Sequence, residues 1–421
     1  MVPPEKLKRI RDDAMQGDAV AQYALAAALT QAGARAEAAK WLAKSAAQEY
    51  PEALYTIASQ KIGVRSGIPE ALALLNRAAA LGASAQARRL AASLTLFEDG
   101  DVSDARDYLI GAAMSGDVIA QRDVAMLLLA GDPHDISGAQ LLHMAAQKDG
   151  VAAAVYVANT AAGAPHMDHS LAVSLVNRLS QTKYPNTDGL ERRLRECNQR
   201  KHAPGQYTAF DWSCVSEKVF DFDSSPVCAE LSISPSIKQY KAAFTPAECE
   251  YVIAQSIRLL APSQIVDPAT GVARADTYRS SYTAIFGAGD GDPFLQVLSR
   301  RLATLTGCAH RCGEFLSVLY YRPGQQYLPH FDWLPPGNDL ERGGQRAATA
   351  LIYLNEEYEG GGTYFETPNL EVAAMIGNVV VFENIDENGQ PDQRTRHTGR
   401  PVKTGAKWLA SRWMRVQNYN F

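Results

Sequence analysis

The segment Tyr321–Trp333, YRPGQQYLPHFDW, ends with a His-x-Asp pair formed by His330 and Asp332. It follows the apolar run FLSVLYY at residues 315–321, which is rich in aromatic and branched side chains and stops at a Pro-Gly pair. That pattern predicts a buried strand followed by a turn. If the chain then continues as a strand, side chains two positions apart lie on the same face. The spacing therefore predicts that an imidazole and a carboxylate meet at one point.

Such a pair supplies two of the three ligands in the 2-His-1-carboxylate triad that binds non-haem Fe(II) with positions left open. The candidate for the missing histidine is His397, which follows the strand-like run GNVVVFEN at residues 377–384. An all-β barrel can bring that later part of the chain beside the first strand. On spacing alone, however, a His-x-Asp dipeptide lies more often on a solvated loop than in a metal site, and both interpretations stay open.

Four motifs in this region, taken in order, resemble the prolyl 4-hydroxylase family of Fe(II)- and 2-oxoglutarate-dependent oxygenases. They are VLYYRPGQQYLPHFD, GGQRAATALIYLNEEYEGGGTYF, GNVVVFEN and HTGRPVKTGAKWLASRW, and the resemblance covers roughly residues 235–421. It implies a double-stranded β-helix of the jelly-roll kind with flanking helices, and a dioxygenase that hydroxylates an unactivated C–H bond. It also implies Fe(II), 2-oxoglutarate and O2, with ascorbate as a further candidate cofactor.

The resemblance assigns roles to individual side chains of this chain. The catalytic metal ligands are His330, Asp332 and His397. The far carboxylate of 2-oxoglutarate needs a fixed cation, and the family places one at Lys407, in a buried pocket where a charge-assisted bond is favourable. The hydroxyl groups expected to bond the same carboxylate belong to Tyr321 and Thr363.

Substrate positions are also implied by the resemblance. Arg346 and Trp413 match positions that line the substrate channel of peptide-binding members, which suggests a peptidyl substrate. Arg400 stands where many members have cysteine, and Arg396 directly precedes the distal histidine. This additional positive charge leads us to expect preference for an acidic target. The segment Val266–Arg279 corresponds to a loop that closes over substrate in the family, so we expect a lid there and a substrate contact from Arg279.

Length and charge restrict the other possibilities. With 421 residues the chain is too long for one core and suggests two or three domains. A net charge of −5 gives no general reason to expect nucleic acid or an anionic membrane as a partner. The first residues are charged and amphipathic, and no run approaches the about 20 apolar residues of a membrane span, so we expect neither a signal peptide nor a transmembrane helix. Its six scattered cysteines suit a reducing compartment, so we expect a cytoplasmic protein.

Alanine-rich segments repeat along the first two hundred residues. GDAVAQYALA, beginning at Gly17, recurs as EYPEALYTIA from Glu49 and as GDVIAQRDVA from Gly116. Gly17 and Gly116 are 99 positions apart, which is three steps of 33. A period of this length with two amphipathic helices per step is typical of an α-helical solenoid. The pattern resembles tetratricopeptide repeats of the Sel-one-like subclass, whose concave surfaces often hold peptides or partner proteins.

A Pro-Gly pair in KHAPGQ, residues 201–206, interrupts the helical pattern. We therefore predict a multidomain chain with an α-helical repeat domain at 1–200, a linker containing a short β-hairpin at 201–235, and the oxygenase domain at 236–421. The favoured function is hydroxylation of a prolyl or other residue in a protein recruited by the repeats. A hydroxylase of a small molecule or free amino acid stays open, as does a non-catalytic scaffold that senses oxygen or 2-oxoglutarate.

Overall fold

The structure is a computed structural model that describes residues 3–197, 210–216, 226–266, 273–275, 279–372 and 375–421. The chain divides into two compact units. The first comprises Met1–Ala120, Ala288–Pro293 and Phe421, and the second comprises Gln121–Gly287 and Phe294–Asn420. The second unit thus contains helices of the repeat region together with the β-sheets. The predicted boundaries at 200 and 235 differ from this division and stay a prediction.

The first unit is built from α-helices in succession. They are α1 Pro4–Met15, α2 Ala19–Gln31, α3 Arg35–Ala47, α4 Pro51–Lys61, α5 Ile68–Ala80, α6 Ala85–Phe97 and α7 Val102–Met114. Just before α2, α4 and α6, the backbone takes positive φ values of 99° at Gly17, 59° at Glu49 and 83° at Gly82. Glycine adopts such angles without steric cost, which explains why it recurs at the start of the repeated motif.

The repeat pattern continues into the second unit. Its helices are α8 Val118–Gly131, which begins in the first unit, α9 Ile136–Ala146, α10 Gly150–Ala161, α11 His169–Gln181, α12 Thr187–Glu196, α13 Ser213–Ser216, α14 Pro246–Ser256 and α15 Pro293–Thr306. The recurring alanines Ala53, Ala120 and Ala153 are fully buried. Helix α10 packs against α14, so the late repeat helices and the oxygenase region share contacts. The predicted all-helical N-terminal region is confirmed.

The start of α14 shows how closely local sequence fixes a helix end. Thr245 is the N-cap, and its hydroxyl accepts from the backbone N–H of Glu248 at 3.2 Å. The Glu248 carboxylate in turn accepts from the backbone N–H of Thr245 at 2.7 Å. This is the capping box that the Thr-Pro-x-Glu pattern predicts.

The second unit also carries the β-strands. They are β1 Val227–Ser232, β2 Ile237–Lys241, β3 Ala261–Pro262, β4 Gln264–Val266, β5 Ala273–Ala275, β6 Tyr282–Phe286, β7 Leu316–Tyr321, β8 Tyr327–His330, β9 Arg346–Tyr353, β10 Tyr358–Gly360, β11 Thr363–Phe365, β12 Leu370–Val372, β13 Val379–Glu383, β14 His397–Gly399, β15 Val402–Gly405 and β16 Lys407–Arg415. Every pairing among these strands is antiparallel.

An eight-stranded sheet, in the order β1-β2-β13-β9-β16-β7-β6-β3, faces a four-stranded sheet in the order β12-β11-β14-β8. The core between them takes Leu319, Leu351 and Val380 from the large sheet and Phe365 and Val372 from the small one. This antiparallel arrangement confirms the predicted jelly-roll fold. Strand β1 extends the large sheet, although the sequence places it in a linker hairpin. Among the described residues, no helix is long and apolar enough to cross a membrane.

Candidate metal and co-substrate site

His330, Asp332 and His397 come together where two strands of the small sheet end. His330 closes β8 and His397 opens β14, and the two histidines are direct partners in the antiparallel register. Asp332 lies just beyond β8, so the strand ends before the carboxylate, whereas simple alternation places both residues on a strand. One ligand atom from each of the three side chains lies within 4.8 Å of the others. That spacing allows all three to bind one metal ion.

Hydrogen bonds orient both imidazoles toward the carboxylate. Nδ1 of His330 donates to the backbone carbonyl of Leu328 at 2.7 Å, and Nδ1 of His397 donates to that of Thr395 at 3.0 Å. Because Nδ1 carries the proton in each ring, Nε2 has a free lone pair. These Nε2 atoms lie 3.6 Å and 3.8 Å from the carboxylate oxygens of Asp332. Two imidazole nitrogens and one carboxylate therefore form a donor set that fits Fe(II).

The Asp332 carboxylate is fixed from its other side by a short polar chain. The Thr349 hydroxyl donates to Oδ2 of Asp332 at 2.8 Å, and the Asn384 side-chain amide donates to the Thr349 hydroxyl at 2.9 Å. Burial alone raises the pKa of Asp332, but the neighbouring His397, His330 and Arg346 outweigh it and hold that pKa well below its ordinary value. The carboxylate is therefore ionised and available to a cation.

His397 lies in apolar surroundings. Its ring is 4.9 Å from that of Phe382 and 5.4 Å from that of Phe365, measured between centroids. Burial and the neighbouring His330 lower the pKa of His397 to about 4, although Asp332 opposes the shift. The imidazole is consequently neutral at physiological pH, as a metal ligand must be.

The same cavity ends at a buried lysine. Its wall includes the three candidate metal ligands together with alternate residues of β16, namely Lys407, Leu409, Ser411 and Trp413. Alternate residues of a strand share one face, which explains this set. The Lys407 ammonium donates to the carbonyl of Gly361 at 2.6 Å. Burial lowers the pKa of Lys407 to about 7, and no carboxylate of the described residues lies within ion-pairing distance.

Tyr321 and Thr363 lie close to this lysine, as expected from the sequence. Tyr321 is paired with Lys407 across β7 and β16, and the ammonium nitrogen is 5.5 Å from its ring centroid. Thr363 lines the cavity and accepts a hydrogen bond from the Tyr353 hydroxyl at 2.9 Å. Because Thr363 acts as acceptor there, its own hydroxyl proton is available to a ligand. Burial raises the pKa of Tyr353 to about 12, which keeps this phenol protonated.

Of the expected substrate residues, Trp413 lines the cavity and Arg346 packs against it. The guanidinium carbon of Arg346 is 3.9 Å from the Trp413 ring centroid. The guanidinium bonds both carboxylate oxygens of Glu314, at 2.7 Å and 3.0 Å, and the backbone carbonyl of Asp332 at 3.3 Å. Through these contacts Arg346 helps to hold the backbone at Asp332 in place. Direct contact between Arg346 and the substrate stays a prediction.

Arg279 contacts Tyr327, which in turn stacks on the candidate metal ligand His330. The two residues form an isolated antiparallel bridge, and the Arg279 guanidinium carbon is 5.3 Å from the Tyr327 ring centroid. Tyr327 stacks on His330 with 3.4 Å between ring centroids and 16° between planes. Most of the expected lid at Val266–Arg279 lies outside the described residues.

Parts of this chain are similar to known proteins. Residues 316–415 match the 2OG-Fe(II) oxygenase superfamily. Prolyl 4-hydroxylase 1 of Arabidopsis thaliana is 35% identical over 199 residues, which are 44% of this chain and 70% of that protein. The chain belongs to the prolyl 4-hydroxylase family. Prolyl 4-hydroxylase subunit alpha-2 of Gallus gallus is 32% identical over 190 residues, or 45% of this chain and 35% of that subunit. The viral collagen prolyl hydroxylase of Paramecium Bursaria Chlorella virus-1 matches 43% of this chain and 96% of its own, with 25% identity and a TM-score of 0.34.

As a member of the prolyl 4-hydroxylase family, the chain is a 2-oxoglutarate-dependent dioxygenase that uses Fe(II), 2-oxoglutarate and O2. When bound, iron and 2-oxoglutarate would activate O2: one oxygen atom would oxidise 2-oxoglutarate to succinate and carbon dioxide, and the other would enter an unactivated C–H bond of the substrate. The side chains described here fit both groups. Two imidazoles and a carboxylate meet the needs of the metal, and a buried ammonium faces the same cavity.

Sequence reasoning missed the residues that support the ligands, namely Glu314, Thr349, Tyr353 and Asn384. Thr349 and Asn384 are fully buried, and each lies in or directly after an apolar strand. A polar residue inside such a run must find a partner, and that was the signal available. The identity of the partner depends on strand pairing, which a single sequence does not specify.

Proposed function

We propose that this chain hydroxylates prolyl residues of a protein or peptide. The observation that carries the proposal is one cavity with the His330, Asp332 and His397 group in its wall and a buried ammonium, Lys407, facing it. The relatives that the chain matches are named prolyl 4-hydroxylases, which favours a prolyl residue as the target. A free amino acid as substrate is the competing proposal.

Each end of the cavity has a separate task in this proposal. His330, Asp332 and His397 hold iron through Nε2, one carboxylate oxygen and Nε2, which leaves three positions for small ligands. In this proposal Lys407 binds the far carboxylate of 2-oxoglutarate, and the hydroxyls of Tyr321 and Thr363 donate hydrogen bonds to the same carboxylate. The apolar wall around the lysine excludes water, and this strengthens the ion pair.

The two arginines next to the distal histidine in sequence bear on the choice of substrate. Arg396 forms an ion pair with Glu366 at 2.8 Å, and Arg400 forms one with Glu371 at 3.0 Å. Each glutamate offsets the positive charge of its arginine, so we expect the preference for acidic targets to be weak. Trp413, in the cavity wall, and Arg279, near His330, are the residues we propose to contact the peptide.

We further propose that the helical repeats recruit the protein substrate, since a second binding site raises its effective concentration at the cavity. An intact protein substrate should then have a higher kcat/KM than a short peptide that contains the same proline. Equal values for the two would rule out recruitment and leave the oxygenase proposal standing.

We also propose that the protein works in a reducing, cytoplasmic compartment and that it uses ascorbate.

The direct test is a turnover assay with mass spectrometry. Purified protein with Fe(II), 2-oxoglutarate and a set of proline-containing peptides should form succinate and add one oxygen to a prolyl residue. His330→Ala should abolish both. Oxygen added to free proline but to no peptide would favour the small-molecule alternative. Absence of succinate from wild-type protein that binds Fe(II) would contradict the proposal.

A further inference from the structure

Residues 354–361, called the anchor strap below, hold the backbone on both sides of the co-substrate lysine. The side-chain amide of Asn355 donates to the carbonyl of Ala406 at 2.8 Å. The backbone N–H of Trp408 donates to the Asn355 side-chain oxygen, also at 2.8 Å. One buried asparagine is therefore bonded to the residue before Lys407 and to the residue after it.

The far end of the strap touches the lysine side chain itself. Gly361 accepts the hydrogen bond from the Lys407 ammonium at 2.6 Å. Between the two ends, Tyr358 is paired with Gly405. Gly405 has a φ of +72°, and an added Cβ there would lie 2.2 Å from the Glu357 carbonyl oxygen. The strap is thus in close contact with the backbone just before the lysine, so a shift of the strap should displace the ammonium.

The side chain of Glu357, in the middle of the strap, contacts a helix of the repeat region. Its carboxylate lies 3.1 Å from Nε of Arg193 and 3.5 Å from a guanidinium nitrogen of Arg192, both on α12. Only 10% of the Glu357 side chain is exposed, so the ion pair with Arg193 is largely shielded from water. An added Cβ on Gly189 would come within 3.1 Å of this carboxylate, which shows how closely α12 approaches the strap.

Arg193 also fixes α12 to the oxygenase helix α14. Its guanidinium lies 3.3 Å from the carboxylate of Glu250, which is fully buried. That carboxylate accepts further hydrogen bonds from Tyr184 at 2.5 Å and from Asn186 at 2.6 Å. A buried carboxylate is stable only with such a set of partners, so this contact has a defined geometry. Arg193 therefore joins α14, α12 and the strap at one point.

We propose that Arg193 is a positioning residue for 2-oxoglutarate: its ion pair with Glu357 fixes the anchor strap and thereby the ammonium of Lys407. The inference rests on the proposed role of Lys407 in binding the co-substrate. It makes α12, a helix of the repeat region, part of the co-substrate site. Arg193 itself does not contact the reacting groups, and its effect on them passes through Glu357.

A matched pair of substitutions tests the proposal in the full-length protein. Arg193→Met and Arg301→Met each remove a mostly buried guanidinium, 15% and 12% exposed, from a glutamate of α14. Only Arg193 also contacts the strap.

Binding of 2-oxoglutarate to the Mn(II)-loaded protein is measured by calorimetry, and KM for 2-oxoglutarate and kcat are measured separately. For Arg193→Met we expect the dissociation constant and KM to rise roughly tenfold with little change in kcat or in Mn(II) affinity. Arg301→Met should bind 2-oxoglutarate as wild type does.

Glu357→Gln provides a second variant, because it breaks the same ion pair and leaves the contact between Arg193 and Glu250 in place. It should weaken 2-oxoglutarate binding in the same way, and Arg193→Met combined with Glu357→Gln should add nothing further. Wild-type affinity in Glu357→Gln, or an equal loss in Arg193→Met and Arg301→Met, would overturn the inference. Failure of the wild-type protein to bind 2-oxoglutarate would instead remove the proposed function on which it rests.

Discussion

The two ends of the cavity are built in opposite ways. At the metal end, the Thr349 hydroxyl donates to the Asp332 carboxylate and the Arg346 guanidinium donates to the Asp332 backbone carbonyl. At the co-substrate end, Lys407 lies among apolar and aromatic side chains and bonds only the Gly361 carbonyl among the described residues. The carboxylate at the metal end thus has hydrogen-bond partners before anything binds, whereas the ammonium of Lys407 has no anionic partner among the described residues. Each end should therefore respond differently to substitution.

Removing the charge of Asp332 should have the largest effect. Asp332→Asn keeps the shape of the side chain but loses the negative ligand, so Mn(II) or Fe(II) affinity should fall by more than about 100-fold and turnover should disappear. Metal affinity is measured by calorimetry. Asp123→Asn, at an equally buried carboxylate on α8, is the control and should keep wild-type metal affinity. If Asp332→Asn also kept it, the metal would have to bind elsewhere.

Lys407→Met should separate the two ends. Loss of a charge-assisted bond costs about 2–3 kcal/mol, so the dissociation constant for 2-oxoglutarate should rise roughly 30- to 150-fold while metal affinity stays unchanged. The ligand-free protein should become more stable to heat, because a buried charge without an anionic partner is replaced by an apolar side chain. A lower melting temperature together with unaltered 2-oxoglutarate binding would mean that the lysine serves only the fold.

The pH dependence of 2-oxoglutarate binding follows from the lowered pKa of Lys407, about 7. A bound carboxylate stabilises the ammonium and raises this pKa, so binding takes up a proton at higher pH. Affinity should therefore fall as pH rises from about 7, by up to about tenfold per pH unit. Calorimetry with Mn(II) between about pH 6.5 and about pH 9 measures this. Lys407→Arg stays charged throughout and should flatten the profile, and a flat wild-type profile would contradict the lowered pKa.

The sequence predicts the helices, the strands and the reacting side chains better than it predicts the contacts that support them. Repeated motifs at Gly17 and Gly116 locate helix starts correctly because glycine marks a backbone angle that other residues avoid. The order of motifs predicts that His330, Asp332, His397 and Lys407 share one site, and all four line one cavity. The strand β8 nevertheless stops at His330, so the Asp332 carboxylate lies beyond it. Local pattern and motif order thus suffice for the elements and the reacting groups.

The supporting contacts are a different matter, because they join distant parts of the chain. Thr349 meets Asn384 only through the register of β9 with β13, and Glu314 meets Arg346 across a separation of 32 positions. From its place on an amphipathic helix, Arg193 is predicted to be a solvated charge. In the structure it lies between the carboxylates of Glu250 and Glu357, which are largely shielded from water. Nothing in local composition specifies such partners, since they arise when strands and helices pack.

The smallest effect should come from the polar chain behind Asp332. Because Asn384 donates to the Thr349 hydroxyl, the proton of that hydroxyl is directed to Oδ2 of Asp332. This bond occupies one carboxylate oxygen and leaves Oδ1 toward the metal. Thr349→Val removes the bond, whereas Thr349→Ser keeps it. We expect about a tenfold loss of metal affinity for Val and near wild-type affinity for Ser.

Asn384→Asp tests the direction of the same chain. The new carboxylate can only accept, so it takes the Thr349 proton away from Asp332, and metal affinity should fall about as much as in Thr349→Val. The matched control is Asn378→Asp, just before the other end of β13, where the side-chain oxygen accepts from the Ala242 N–H at 2.9 Å, a contact that a carboxylate keeps. Co(II) absorption spectra report the ligand geometry without turnover, and they should change in Asn384→Asp but not in Asn378→Asp. If both variants kept the wild-type spectrum and affinity, the polar chain would support the fold alone, and the metal end would depend on its three ligands as directly as the other end depends on Lys407.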